Sequence, residues 1–114
     1  MTDHDDRVYL RHMLDHAREA VGFARDRKRE DLDTDRLLQL ALTHLVEIIG
    51  EAANRVSRER QAQHPEIPWT QIISMRNRLV HGYDDISFSL LWSTVVEDLP
   101  KLIAQLERLG LEES

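Results

Sequence analysis

An all-α fold is what this sequence predicts, on three observations. Its 114 residues include only four glycines and three prolines. Apolar residues recur three and four positions apart, and the charged residues, 32% of the chain, fall between them as on the solvent faces of helices. No stretch makes a convincing strand. The length suits one domain over residues 1–114 with a single core, arranged as a bundle of about four or five helices.

The first helix begins in the acidic stretch Asp3 to Asp6, where carboxylates suit a helix amino end. Its apolar stripe is Leu10, Met13, Leu14, Ala17, Ala20, Val21 and Ala24, and it ends in the charged run "RDRKRE". The second helix starts at "DLDTDR", capped by Asp33 or Thr34, turns Leu37, Leu38, Ala41, Leu45, Ile48, Ile49 and Ala52 inward, and runs to about Arg60. The prolines of "QHPEIPW" then break it. Pro68 opens a third helix whose inward stripe is Trp69, Ile72, Ile73, Arg76 and Val80, with Gly82 placed to close it. A fourth helix starts near "DDISFS", capped by Asp84, Asp85 or Ser87, and buries Leu91, Trp92, Val95, Val96 and Leu99. Pro100 kinks or restarts it, and Leu102, Ile103 and Leu106 continue the stripe until fraying after Gly110.

Composition excludes several classes of function. There is no cysteine, hence neither a disulfide framework nor a thiolate metal site. A net charge of −6 argues against coating nucleic acid with a broad basic surface. Aromatic content of 5% argues against a row of base-stacking platforms. No apolar run approaches the ~18 residues that cross a bilayer, and the acidic amino terminus lacks a leader's apolar segment, so a cytoplasmic location is expected.

Against this acidic background stands "MRNRLVHGYDD", residues 75–85. Arg76 falls on the stripe that should face the protein, so an anionic partner is expected beside it. Asn77 and His81, four apart, share one side of the last helical turn, with Arg76 about 100° around the same rim. Tyr83 follows just beyond Gly82. An arginine fork grips phosphate, an asparagine orients it, and a histidine moves protons. Near pH 7 roughly a quarter of an unperturbed histidine is protonated, so acid and base forms coexist. That is the equipment for metal-free phosphoryl transfer, such as RNA cleavage through the ribose 2′-hydroxyl. Efficient transesterification uses a base and an acid on opposite sides of phosphorus, and this motif offers one histidine per chain. A symmetric dimer would supply the second. The same residues also read as a helix carboxyl cap, with His81 and Arg78 bonding the last carbonyls and Arg76 paired with an internal carboxylate.

Three stretches, "EIIGEAANRVS", "HPEIPWTQIISMRNRLVHGYDDIS" and "LWSTVVEDLPKLIAQL", in that order and spacing, resemble the HepT-like branch of the HEPN superfamily from about Leu37 to Leu106. The family pattern Arg-x4-His-x-Tyr is present as Arg76, His81 and Tyr83, with Asn77 directly after the arginine. The resemblance implies an antiparallel helical bundle and a homodimer whose two motifs line a shared cleft. It also implies a metal-independent endoribonuclease without cofactor, the toxin of a type VII toxin–antitoxin pair. Its partners would be an RNA substrate and a cognate MntA-like nucleotidyltransferase, which silences the toxin by transferring AMP from ATP to Tyr83. One AMP adds about one negative charge and a bulky nucleoside next to Arg76 and His81. Arg76 and His81 are then catalytic, Asn77 positions phosphate or His81, and Arg78 is a weaker candidate for RNA backbone contact. A non-catalytic nucleotide-binding or accessory subunit of a nucleotidyltransferase is the other reading.

Two further patterns stand out. Glu47, Gly50, Glu51 and Asn54 form a polar stripe on the second helix, where the glycine would let another helix come close. His12 and His16 have metal-ligand spacing but no third aligned ligand, so they read as exposed side chains. For a dimer face, the sequence offers Trp69 and Phe88 as exposed apolar residues.

Overall fold

Burying one apolar stripe per long helix brings those stripes face to face, and the bundle follows. A computed structural model describes residues 3–79 and 86–111. Along them lie α1 (Asp3–Ala24), α2 (Asp31–Thr34), α3 (Arg36–Arg55), α4 (Arg58–Gln63), α5 (Trp69–Leu79), α6 (Phe88–Ser93) and α7 (Leu99–Glu107). A π-helical turn, Thr94–Asp98, joins α6 to α7. The described residues contain no β-strand. The main packing is α1 on α3, with α5 laid on α3 and α7 on α1.

On α1 the expected stripe is buried, with Val21 at its edge. The amino-terminal half of the helix is pinned by side chains rather than by disulfides. The Asp6 carboxylate, 2% exposed, accepts from the Ser57 amide at 2.8 Å and the Ser57 hydroxyl at 2.7 Å. That hydroxyl in turn accepts the Arg60 amide at 3.1 Å, so one serine caps α4 and fastens it to α1. Gln61 donates to the carbonyls of Ala53 at 3.2 Å and Val56 at 3.0 Å, satisfying acceptors that the end of α3 leaves open. From α1, Arg7 and Arg11 donate to the Leu111 carbonyl at 2.8 and 3.2 Å, which ties the chain following α7 back to the bundle.

The core helix differs from expectation at both ends. Residues 31–34 form the separate single turn α2, and Asp35, rather than Asp33 or Thr34, caps α3 by accepting the Leu38 amide at 3.0 Å. The helix stops at Arg55, short of Arg60, because Val56 is extended and Ser57 starts a new helix with its own hydroxyl. Its buried face is Leu38, Leu42, Leu45, Val46, Ile49, Ala52 and Ala53. Leu37, expected inside, is 80% exposed; it lies one position, about 100°, off that stripe, while Ala41 and Ile48 occupy its half-buried flank.

The reading of Trp69 and Phe88 as exposed is corrected, while the place of Trp69 on the inward stripe of the third helix is borne out. Trp69 is buried, its indole N–H donating to the His64 carbonyl at 3.0 Å, and Phe88 is half-buried. The large apolar side chains that do face outward are Val8, Phe23, Leu37, Leu40 and Val96. Val96 is turned out by the π-helical turn. Pro100 has no N–H and its ring crowds the carbonyl four residues back, and the widened turn absorbs both defects while keeping Leu91, Val95, Leu99, Leu102 and Leu106 inward. Ser87 caps α6 as one of the three candidates; Asp84 and Asp85 lie outside the described residues.

Asp35 combines its cap with an ion pair to Arg27 at 2.9 Å. The Arg27 hydrogen bond, then the Leu38 amide, hold its carboxyl below the ordinary value of 3.8. A depressed folded-state pKa stabilises above the unfolded value and loses that contribution as pH falls through the folded one. Asp35→Ala therefore lowers the urea midpoint at pH 7, and its deficit against the parent shrinks steadily as denaturation is repeated below pH 4. A deficit independent of pH would contradict this.

Candidate functional site

The site is built where α5 crosses α3. A Cβ added at Gly50 would sit 3.1 Å from the Ile72 carbonyl oxygen and 3.7 Å from that of Ile73. Glycine is thus what lets the two backbones meet, as the sequence anticipates. From this crossing, one turn back along α3 lies Glu47 and one turn on along α5 lies Arg76. The guanidinium Nε donates to the Glu47 carboxylate Oε2 at 3.2 Å. The expected anionic partner is therefore present, but the expected burial is not, because the Arg76 side chain is 60% exposed and that of Glu47 31%. The inward face of α5 is Trp69, Met75 and Leu79, with Ile72 and Ile73 partly covered, which leaves Arg76 on the flank against α3.

An ion pair this accessible adds less than about 1 kcal/mol to stability. Its consequence is orientation. With Nε committed to Glu47, neither Nη group has a partner among the described residues, and the two form the fork that matches two phosphate oxygens. The carboxylate pairing foreseen in the capping alternative occurs, yet on the surface rather than inside.

Asn77 is exposed and makes no side-chain hydrogen bond among the described residues. Arg78 lines a cavity of about 420 Å³ on another side of α5, between Val46, Met75, Leu99 and Leu102, away from Arg76. His81 and Tyr83, together with Val80 and Gly82, lie outside the described residues. The positions flanking them are tied together, the Ser87 amide donating to the Leu79 carbonyl at 2.9 Å.

A second concavity, about 310 Å³, adjoins the pair and shares Glu47 with it. Among the described residues its lining also includes Arg36, Gln39, Leu40, Thr43, His44, Ile86 and Phe88. Sequence reasoning passed over it. The available signal was the spacing of Arg36, Leu40, Thr43, His44 and Glu47, which places them on one face of α3. On α1, His12 is exposed and the His16 Nδ1 lies 2.7 Å from the His12 carbonyl oxygen. Among the described residues no three histidine, cysteine or acidic side chains gather as a metal-holding group.

Among the described residues the chain is all-helical and carries a carboxylate-paired arginine at the head of an Arg-x4-His-x-Tyr sequence. Residues 13–109 match the family model described as "Ribonuclease HepT-like", and the chain belongs to this HepT-like ribonuclease family. It is 39% identical over 87 residues to "Probable ribonuclease HepT" of Thermococcus cleftensis, covering 76% of this chain and 79% of that one. It is 30% identical over 107 residues to a Methanocaldococcus jannaschii protein named as a "Putative RNase", covering 94% and 98% of the two. A protein so named from Caldanaerobacter subterraneus subsp. tengcongensis is 30% identical over 103 residues, covering 90% and 92%. No solved structure matches the chain.

Proposed function

We propose that this protein is a metal-independent endoribonuclease, the toxin of a type VII toxin–antitoxin pair, silenced by AMP placed on Tyr83 by a cognate MntA-like nucleotidyltransferase. The observation that carries the reading is Arg76, anchored through Nε to Glu47 with its fork unpartnered among the described residues, at the start of the family's Arg-x4-His-x-Tyr pattern. Arg76 binds the scissile phosphate and the charge that grows on it, and Asn77 positions that phosphate or His81. His81 of one protomer accepts the proton of the 2′-hydroxyl as it attacks phosphorus. His81 of the other gives a proton to the departing 5′-oxygen, which leaves a cyclic phosphate and a 5′-hydroxyl. A homodimer with a shared cleft supplies both roles from one histidine per chain.

In this reading AMP on Tyr83 shuts the enzyme off by setting a phosphate and a nucleoside in competition with RNA for Arg76. The transferase is the partner, ATP is the donor that it consumes, and the modified chain keeps its fold.

Purified chain should cleave a fluorescent RNA in the presence of EDTA, and Arg76→Ala or His81→Ala should each lower kcat by about a hundredfold or more, from lost phosphate stabilisation and lost proton transfer. Full cleavage by both variants would overturn the catalytic assignment. A chain that neither cleaves RNA nor arrests growth is instead an accessory subunit. When the chain is co-produced with its transferase, mass spectrometry should find added AMP mass on the peptide bearing Tyr83, and Tyr83→Phe should remove it. Undiminished incorporation in that variant would refute the acceptor role.

A further inference from the structure

The concavity on α3 next to Arg76 has features that neither phosphate binding nor folding uses. Thr43 is 8% exposed, and its hydroxyl, sealed from solvent, has no hydrogen-bond partner among the described residues. A buried hydroxyl left this way is costly unless something polar meets it. Arg36 is held in place by a relay: its Nη1 donates to the Gln39 Oε1 at 3.3 Å, and the Gln39 Nε2 donates to the Leu32 carbonyl at 2.6 Å. Its remaining N–H groups form no hydrogen bond among the described residues. His44 completes the polar side, and Leu40, Ile86 and Phe88 make the other wall apolar.

A pocket with an apolar wall, an aromatic ring and fixed donors along one edge suits a flat ligand with apolar faces and a polar rim. A nucleobase is such a ligand, and proteins read single-stranded RNA by stacking bases on rings and bonding their edges. The volume of about 310 Å³ is at the small end of ligand pockets, in keeping with a base rather than a whole nucleotide. The shared wall is Glu47, which also holds Arg76, so a base seated here belongs to a nucleotide next to the gripped phosphate.

We infer that this pocket, lined by Arg36, Thr43, His44 and Phe88, holds one RNA base beside the scissile phosphate and sets the base preference of cleavage. The inference rests on the ribonuclease reading above. The test uses full-length protein and a panel of short DNA strands carrying one ribonucleotide, which fixes the cleaved phosphate, with the base on either side varied in turn. The parent chain should show a spread of tenfold or more in kcat/KM across the bases at one of those positions. Arg36→Ala and Thr43→Val should compress the spread to about threefold or less, mainly through KM, while Arg58→Ala on α4, beyond the far end of α3, leaves it in place. Thermal unfolding confirms that each variant is folded, and the exposed Arg36 carries the test if Thr43→Val is not. A parent that cleaves nothing in the panel overturns the ribonuclease reading itself. A parent that cleaves without preference, or a preference that survives both substitutions, overturns the pocket alone.

Discussion

The crossing of α5 over α3 at Gly50 is the constraint on which the rest of the site depends. A Cβ at this position would sit 3.1 Å from the Ile72 carbonyl oxygen, so any other residue would have to push the two helices apart by a few tenths of an ångström. The two helices run in opposite directions from that point. Moving one turn along each brings Glu47 and Arg76 into register, and an exposed ion pair becomes a fixed direction for an arginine fork. Two concavities flank the crossing, one lined by Arg78 and the other by Arg36, His44 and the Glu47 that pairs with Arg76.

Such a crossing holds only if α3 itself is held, and polar side chains do this in a chain without cysteine. Asp35 closes the amino end, and Gln61 takes up the carbonyls at the other. Asp6 binds the α3–α4 junction through both the amide and the hydroxyl of Ser57. These contacts join residues 51 positions apart through two part-buried hydrogen bonds to one carboxyl group. The Arg76–Glu47 pair is different in kind, since water screens it and its value lies in geometry.

Much of this was legible in the sequence. The helical class, the buried stripe of α1, the break at the two prolines and the role of Gly50 follow from spacing and residue chemistry. What was less legible was rotation about each helix axis. Leu37, Val96 and Arg76 each have an apolar or helical pattern that would place them inside, and each is turned out. An error of one position rotates a side chain by about 100°, and only the angle at which a partner helix crosses decides it. The π-helical turn that turns Val96 outward is a response to Pro100, whose direction of distortion no periodicity encodes. Trp69 fits both the inward stripe and an exposed dimer face in the sequence, and the turn at His64, which supplies its N–H with an acceptor, decides for burial. The pocket was beyond sequence reasoning for a simpler reason. Its apolar wall takes Ile86 and Phe88 from about forty residues away along the chain, and only the fold brings them to Thr43.

The central claim is that the glycine crossing positions Arg76 for catalysis. RNA cleavage by Gly50→Ala and Gly50→Val, compared at a temperature where circular dichroism shows each folded, tests it most directly. Gly22→Ala is the control, since Gly22 has no atom within 4 Å of an added Cβ. The account predicts that kcat falls from glycine to alanine to valine at position 50, by tenfold or more at valine, while the control cleaves as the parent does. A folded Gly50→Val chain, or a folded Gly50→Ala chain where valine prevents folding, with undiminished kcat would contradict it.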